Sequence, residues 1–190
     1  MTKYLFLDTA TKYTGYAVYE KMMLDAHVVV LSEYGLLKGS SGDVDSRILL
    51  IGEKFMGLVT RIKPVAVVQE FPYFQAGVRG THAARQGDTL QLARLCGNLE
   101  REWNVMVMEA RSRNFRMPLM HHVKYNQWNG QLPKKVTCER CALHFGICSN
   151  PNSIENNWVD AIMMGKWFLE NRLELVVAKG KSPNVVHNDY

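Results

Sequence analysis

Tyr4 to Val18 is the segment YLFLDTATKYTGYAV, in which two apolar runs flank a polar turn. The first run ends on Asp8, and the second begins after Thr14-Gly15. Strand-forming runs on either side of turn-forming residues predict a β-hairpin. Asp8 would then end an apolar strand near the middle of a sheet. Burying a carboxylate there is unfavourable unless a cation or hydrogen bonds compensate it, so Asp8 is the first candidate functional residue.

The bulk composition suits a soluble globular protein. The chain has 190 residues, of which 47% are hydrophobic and 22% charged, enough for one domain with a sizeable core. We predict a single domain over residues 1–172 and a loose C-terminal tail over 173–190. No apolar run approaches a membrane span, and Met1-Thr2-Lys3 leads straight into a strand, so we expect a cytoplasmic protein without membrane contact. The net charge of +5 favours a polyanionic partner.

The remaining patterns predict alternating strands and helices. The predicted strands are Lys3–Asp8, Gly15–Tyr19, Val28–Leu37, Val65–Glu70 and Val105–Glu109. The predicted helices are residues 48–62, Thr81–Trp103, Lys134–Phe145 and Asn157–Leu169. Between them, Arg111 to Lys135 is basic, is interrupted by prolines and is expected to be irregular. This order indicates an α/β fold with a mixed central sheet, the first three strands antiparallel and the later ones parallel, and helices on both faces.

Three acids could meet in such a sheet. If the first and fourth strands are neighbours, Asp8 and Glu70 both lie at strand ends, and Asp160 near the start of the last helix could face them. Three converging carboxylates repel one another unless hard cations lie between them, and Mg²⁺ prefers such oxygen ligands. Two ions could support phosphodiester hydrolysis. Each acid also has a structural interpretation: Asp8 could cap a turn, Glu70 could pair with an arginine, and Asp160 could favour a helix N-terminus.

Cys138, Cys141, His144 and Cys148 have a spacing that a zinc site could use. The segment is predicted to be helical, however, and the spacing matches no familiar zinc module. We therefore favour reduced, partly buried thiols, with zinc as the alternative.

Four motifs, in order, resemble the RuvC-type Holliday junction resolvases, in particular those carried by phages. They are Asp8 followed by Thr14-Gly15-Tyr16-x-Val18, Glu70 at the end of an apolar strand with aromatics beyond it, Trp128-x-Gly130-x-x-Pro133-Lys134, and Asp160-Ala161-Ile162. The resemblance covers about Lys3 to Leu169. It implies a ribonuclease H-like fold and a homodimer inside a bacterial cell, encoded by a phage or a bacterium. It also implies symmetric nicking of four-way or branched DNA with two Mg²⁺ ions, for which Mn²⁺ could substitute, leaving 5′-phosphate and 3′-hydroxyl ends.

The chain departs from the family where another Asp normally precedes the equivalent of Asp160 by one helical turn. Here that position is Asn157. Asn157 could ligate metal through its side-chain carbonyl, Glu155 could reach in from a non-helical start, or one ion could be held more weakly.

Basic and aromatic residues flank the proposed site. Lys134, which matches the family's Pro-Lys pattern, would stabilise charge on the scissile phosphate, with Lys135 as the neighbouring alternative. Both could equally be solvated surface charges. The other candidate DNA contacts are Tyr73, Phe74, Arg79, Arg85, Arg111, Arg113, Arg116 and Lys124. Arginines and lysines would hold phosphates, and Tyr73 or Phe74 could stack on an unpaired base or belong to the core.

Two other functions fit the same sequence. One is a related ribonuclease H-like nuclease for other branched or hybrid nucleic acids, since the metal chemistry is shared. The other is a non-catalytic junction-binding protein that lost a metal ligand at Asn157. An actin-like sugar kinase also opens with an Asp-bearing hairpin, but it needs a second domain and Gly-rich nucleotide segments that this sequence lacks.

Overall fold

The computed structural model describes residues 2–21, 29–39, 42–71, 88–111, 119–130, 132–153 and 156–172. The strands are β1 (Thr2–Asp8), β2 (Tyr13–Lys21), β3 (Val29–Lys38), β4 (Ala66–Phe71) and β5 (Leu119–Lys124). The helices are α1 (Val44–Ile62), α2 (Asp88–Arg111), α3 (Tyr125–Asn129), α4 (Lys134–Phe145) and α5 (Asn156–Asn171). None of these helices is long and apolar enough to cross a membrane. The predicted tail, residues 173–190, lies outside the described residues.

The five strands form one mixed sheet in the order β3-β2-β1-β4-β5. The hairpin of the opening segment pairs β1 with β2 antiparallel, and Asp8 lies opposite Gly15. β3 extends this meander on the far side of β2. β1 also pairs with β4 in parallel, with Leu7 beside Gln69, and β4 pairs with β5 in parallel. Asp8 and Glu70 are the residues that follow this pair, so both lie at the carboxyl ends of adjacent central strands.

Helices cover the sheet on both faces because side chains alternate along each strand. Leu5, Leu7 and Val67 pack with α1 and α2 in one apolar cluster. Phe6 and Val68 belong to the other cluster, which α4 and α5 complete. The mixed α/β architecture with two helical layers agrees with the sequence prediction.

The strand predicted at Val105–Glu109 is wrong, because those residues belong to α2. The buried side chains of Leu95, Leu99 and Trp103 continue to Met106 at helical spacing, all against the α1 side of the sheet. A short apolar run is compatible with either structure, and here the helical face decides.

The fifth strand lies instead at Leu119–Lys124, within the segment predicted to be irregular. Its two histidines hide the alternation. Met120 packs on the α1 side of the sheet, whereas Val123 is buried on the α5 side. The His121 ring lies 5.5 Å from that of Phe168 on α5, so a histidine packs on the α5 side of the sheet.

Candidate active site

Asp8 and Glu70 lie on the α5 side of the sheet. Asp8 lies two residues after Phe6 on β1, and Glu70 lies two residues after Val68 on β4. Residues two apart on a strand share a face, and Phe6 and Val68 pack against α5. The hydroxyl of Thr9 donates to the backbone carbonyl of Glu70 at 2.8 Å and ties the two strand ends together. Parallel pairing thus brings two acids that are 62 residues apart in sequence to one edge of the sheet.

The helices on this face add a third acid and a cation. Asp160 lies one turn into α5 and its side chain is only 5% exposed. Lys134 is the first residue of α4, and its Nζ lies 3.5 Å from Oδ2 of Asp160. The structure therefore brings together Asp8, Glu70, Asp160 and Lys134, the four residues predicted to form the catalytic centre.

The start of α5 sits unusually close to the hairpin because β2 has a glycine there. A Cβ on Gly15 would lie 2.6 Å from the backbone nitrogen of Trp158 and closer still to the carbonyl of Asn157. The side-chain amide of Asn157 donates to the backbone carbonyl of Tyr13. Since Gly15 is the partner of Asp8 across the hairpin, these contacts place Asp160 relative to Asp8.

The cluster holds three carboxyl groups, and Lys134 is the cation that interacts with them. Burial, followed by the charges of Glu70 and Asp160, raises the pKa of Asp8 well above its ordinary value, and Lys134 opposes the shift. Burial also raises the pKa of Glu70 to about 7 and that of Asp160 to about 6, again against Lys134. A further positive charge would relieve this repulsion.

Trp128 is a site residue whose contact with the cluster the sequence patterns did not predict. Its indole Nε1–H donates to Oε2 of Glu70 at 3.0 Å, and this bond lowers the pKa of Glu70 against the effect of burial. The two residues are 58 positions apart. The sequence signal for Trp128 was its place in the motif that resembles the phage resolvases. No local sequence pattern indicates that its partner is Glu70.

The chemistry of the cluster fits a hard divalent cation. Its donors are carboxylate oxygens, which Mg²⁺ prefers, and because burial raises their pKa values, a bound cation would favour their ionised form. In the conformation seen, Lys134 pairs with Asp160, and no three His, Cys, Asp or Glu side chains among the described residues converge closely enough to hold an ion. Metal binding would therefore require side-chain rotation within the cluster.

The other predicted site residues fall into two groups. Asn157 is half-buried at the start of α5, with its amide nitrogen bonded to Tyr13. Lys135 is exposed and lies 3.9 Å from Glu139, and Lys124 is exposed at the end of β5. Outside the described residues or side chains lie Glu155, Tyr73, Phe74, Arg79, Arg85, Arg111, Arg113 and Arg116.

The cysteines of the cysteine-rich segment are free, and the preference for thiols over zinc stays a prediction. Cys138 and Cys141 are buried on α4 and Cys148 is exposed, all without a disulfide. His144 is exposed as well. The described residues hold no cluster that could bind a metal through these side chains. Cys138 instead donates to the side-chain oxygen of Asn156 at 3.1 Å, which links α4 to the start of α5.

Two solved structures that this chain resembles in fold are Holliday junction resolvases. RuvC of Thermus thermophilus in complex with a Holliday junction substrate superposes with a TM-score of 0.57 at 16% identity, covering 89% of this chain and 96% of that one. The yeast mitochondrial Holliday junction resolvase Ydc2 superposes with a TM-score of 0.62 at 10% identity, covering 88% and 79% respectively. No protein-family model and no curated protein sequence matches the chain.

These likenesses define the class of fold. The five-stranded mixed sheet with helices on both faces is the ribonuclease H-like α/β fold that RuvC and Ydc2 also have. At these identities the likeness concerns the fold, and the function has to be argued from the site.

Proposed function

We propose that this protein is a metal-dependent endonuclease that resolves four-way or branched DNA junctions. The observation that carries the proposal is that the buried carboxyl group of Asp8 interacts electrostatically with Glu70, Asp160 and Lys134 at one edge of the sheet. The comparison with solved structures also supports the proposal. The chain shares its fold with two junction resolvases, one of them described in complex with a Holliday junction substrate.

The residues divide the chemistry between them. Asp8, Glu70 and Asp160 would hold Mg²⁺ or Mn²⁺, most simply two ions, with Asn157 or Glu155 as a further oxygen ligand. When bound, such ions activate water and neutralise the leaving oxygen. Lys134, whose side chain is 51% exposed, supplies a positive charge for a non-bridging phosphate oxygen. Hydrolysis of the bond to the 3′ oxygen leaves a 5′-phosphate and a 3′-hydroxyl. Symmetric nicking of two strands would require a homodimer.

The substitution Asp8→Asn tests the proposal. It should lower Mg²⁺-dependent nicking of a four-way junction by about a hundredfold or more, since a metal ligand contributes several kcal/mol to transition-state stabilisation. Junction binding should be retained or tightened, because the substitution removes one negative charge that repels the phosphates. Asp45→Asn, at an exposed acid on α1 that pairs with Arg94, serves as the matched control and should leave both properties unchanged.

The outcome separates the proposed function from its alternatives. If Asp8→Asn loses junction binding as well as nicking, a catalytic role for the residue is contradicted. Tight junction binding by the unmodified chain without nicking in Mg²⁺ or Mn²⁺ would indicate a junction-binding protein. Preferential cutting of RNA–DNA hybrids, flaps or three-way junctions would indicate a related nuclease.

A further inference from the structure

A small cavity lies in the groove between α4 and α5, beside the acidic cluster. Its volume is about 200 Å³, and Trp128 and Asn129 of α3 are among the residues that line it. Thr137 lines it from α4 and Trp167 from α5. Trp128 belongs to both places, because its indole N–H bonds Glu70. Trp128 therefore links the cavity to the candidate active site.

The position of the cavity is set by the two helices that start at the site. α4 begins with Lys134, and α5 carries Asp160 one turn from its start. From Lys134 to Arg140, and from Asp160 to Trp167, the helical rise gives about 9–10 Å. Stacked nucleotides of one strand are about 3.4 Å apart, so the cavity lies within about three nucleotides of a phosphate held at the cluster.

The lining combines aromatic rings with positive charge. Trp128 and Trp167 line the cavity, Trp128 buried and Trp167 partly so. Lys166 pairs with Glu170, both of which also line the cavity. Arg140 is exposed at the lining and has no ion-pair partner among the residues that the structure describes. Among the described residues, the lining thus combines two tryptophans with one arginine that has no ion-pair partner.

We propose that this cavity accepts one unstacked nucleobase of the junction strand, with Arg140 holding an adjacent phosphate. The inference rests on the proposed function and deepens it by adding a subsite for the substrate. At about 200 Å³ the cavity is smaller than the sites of drug-sized ligands, which occupy roughly 300–1,000 Å³, and suits a single planar ring system. Proteins that hold unpaired bases stack them on aromatic side chains beside a positively charged path for the backbone.

An abasic scan with the full-length protein tests the proposal. Binding of a fixed four-way junction is measured without divalent metal, with single abasic sites placed at each of the four nucleotides on either side of the cleaved bond. At one position the lesion should weaken binding about tenfold, the usual effect of losing one base–aromatic stack. In Trp167→Ala the same lesion should have no further effect, whereas Trp167→Phe, which keeps a ring, should preserve most of it.

Arg140→Gln gives a second measurement that does not depend on the partly buried tryptophan. It should reduce the slope of log affinity against log salt by about 0.7–0.9, the contribution of one phosphate contact. Lys54→Gln, an equal charge loss at an exposed residue of α1 on the opposite side of the sheet, should leave the slope unchanged.

Three results would overturn the proposal. They are an abasic scan without a sensitive position, a sensitive position that Trp167→Ala does not affect, and an equal change of slope in the arginine and lysine variants. Each is obtained with a wild-type protein that binds and nicks junctions, which distinguishes it from failure of the proposed function, where wild type itself would not do so.

Discussion

Trp128 holds one oxygen of Glu70 through its indole N–H at 3.0 Å. Burial raises the pKa of this carboxyl group to about 7, and the bond from Trp128 lowers it. At residue scale it is the contact through which a neutral side chain affects the ionisation of the candidate active site.

Replacing Trp128 by Phe should move the proposed nicking activity to higher pH. The donor is lost while the ring remains, so the pKa of Glu70 rises, and the ionised carboxylate forms only under more basic conditions. A hydrogen bond to a charged group contributes about 1.5–3 kcal/mol, which predicts nicking at neutral pH reduced by about ten- to a hundredfold. The pH–rate profile is the measurement, and its acidic limb should shift by about one pH unit or more.

The control is Trp103→Phe, a substitution of the same kind at a residue buried against α1. It should lower the melting temperature without moving the pH–rate profile. An unchanged profile in Trp128→Phe would show that the bond to Glu70 is irrelevant to activity.

Sequence patterns identified the acids of this cluster better than its neutral members. An acid that ends an apolar strand stands out, and Asp8 and Glu70 could be placed together once β1 and β4 were expected to be neighbours. Trp128 and Thr9 could not be paired with Glu70 in this way, because their contacts span 58 and 61 residues and depend on side-chain direction in the folded protein.

At the scale of elements, the approach of α5 to the hairpin positions the site. Two glycines allow it: Gly15 on β2, and Gly165 on α5, where a Cβ would lie 2.9 Å from the ring of Phe6. The side-chain amide of Asn157 donates to the backbone carbonyl of Tyr13 where α5 meets the hairpin. The end of the chain that supplies Asp160 is thereby fixed to the hairpin that supplies Asp8.

Gly15→Ala should destabilise the protein and displace Asp160. The added methyl meets backbone atoms of Asn157 and Trp158 that cannot rotate away, and overpacking of this kind costs about 1–3 kcal/mol. For a chain of this size that predicts a melting temperature lower by about 3–10 °C. Nicking, measured well below the melting temperature, should fall more than junction binding.

Gly57→Ala is the matched control, because a Cβ at this helical position meets nothing within 4 Å. It should leave the protein as stable or raise its free energy of unfolding by up to about 1 kcal/mol. Equal stability of the two variants would contradict the close approach of α5 to β2.

The order of helices and strands was predicted correctly where the hydrophobic periodicity was unambiguous. The prediction failed where that periodicity was ambiguous. α4 spans Lys134–Phe145 as expected. The apolar run at Val105–Glu109 fits a strand or a helix, and only packing against α1 shows that α2 continues through it. β5 was missed because His121 and His122 interrupt its apolar alternation.

At the scale of the whole molecule, the buried acids make the free energy of unfolding depend on pH. The pKa of Glu70 is about 7 in the folded protein against an ordinary 4.5, so between these values the folded state binds more protons than the unfolded state. Stability from this residue is therefore present at low pH and is lost as the pH rises through about 7.

Glu70→Gln should remove this pH dependence in the metal-free protein. The melting temperature of the variant relative to wild type, measured in a chelator, should increase as the pH rises from about 4.5 to about 7 and then level off. Glu53→Gln, at an exposed acid of α1, should show a constant difference. A constant difference for Glu70→Gln as well would mean that Glu70 does not carry the buried charge.

Magnesium should stabilise the protein by the same reasoning, since it supplies the positive charge that the cluster lacks. At a hundredfold excess over its dissociation constant it should add about 2.7 kcal/mol, which corresponds to about 5–11 °C in melting temperature. The measurement is a thermal melt at pH 8 with and without Mg²⁺. Asp8→Asn should lose most of the increase, and an equal increase in both proteins would place the ion elsewhere.

The most direct test of the account is the nicking of a synthetic four-way junction by the unmodified protein, compared with a linear duplex of the same sequence. With Mg²⁺ we predict paired nicks in two opposing strands, ends that a ligase can seal, little cutting of the duplex and no cutting in a chelator. Tight binding of the junction with intact strands in both Mg²⁺ and Mn²⁺, or equal cutting of the linear duplex, would contradict it.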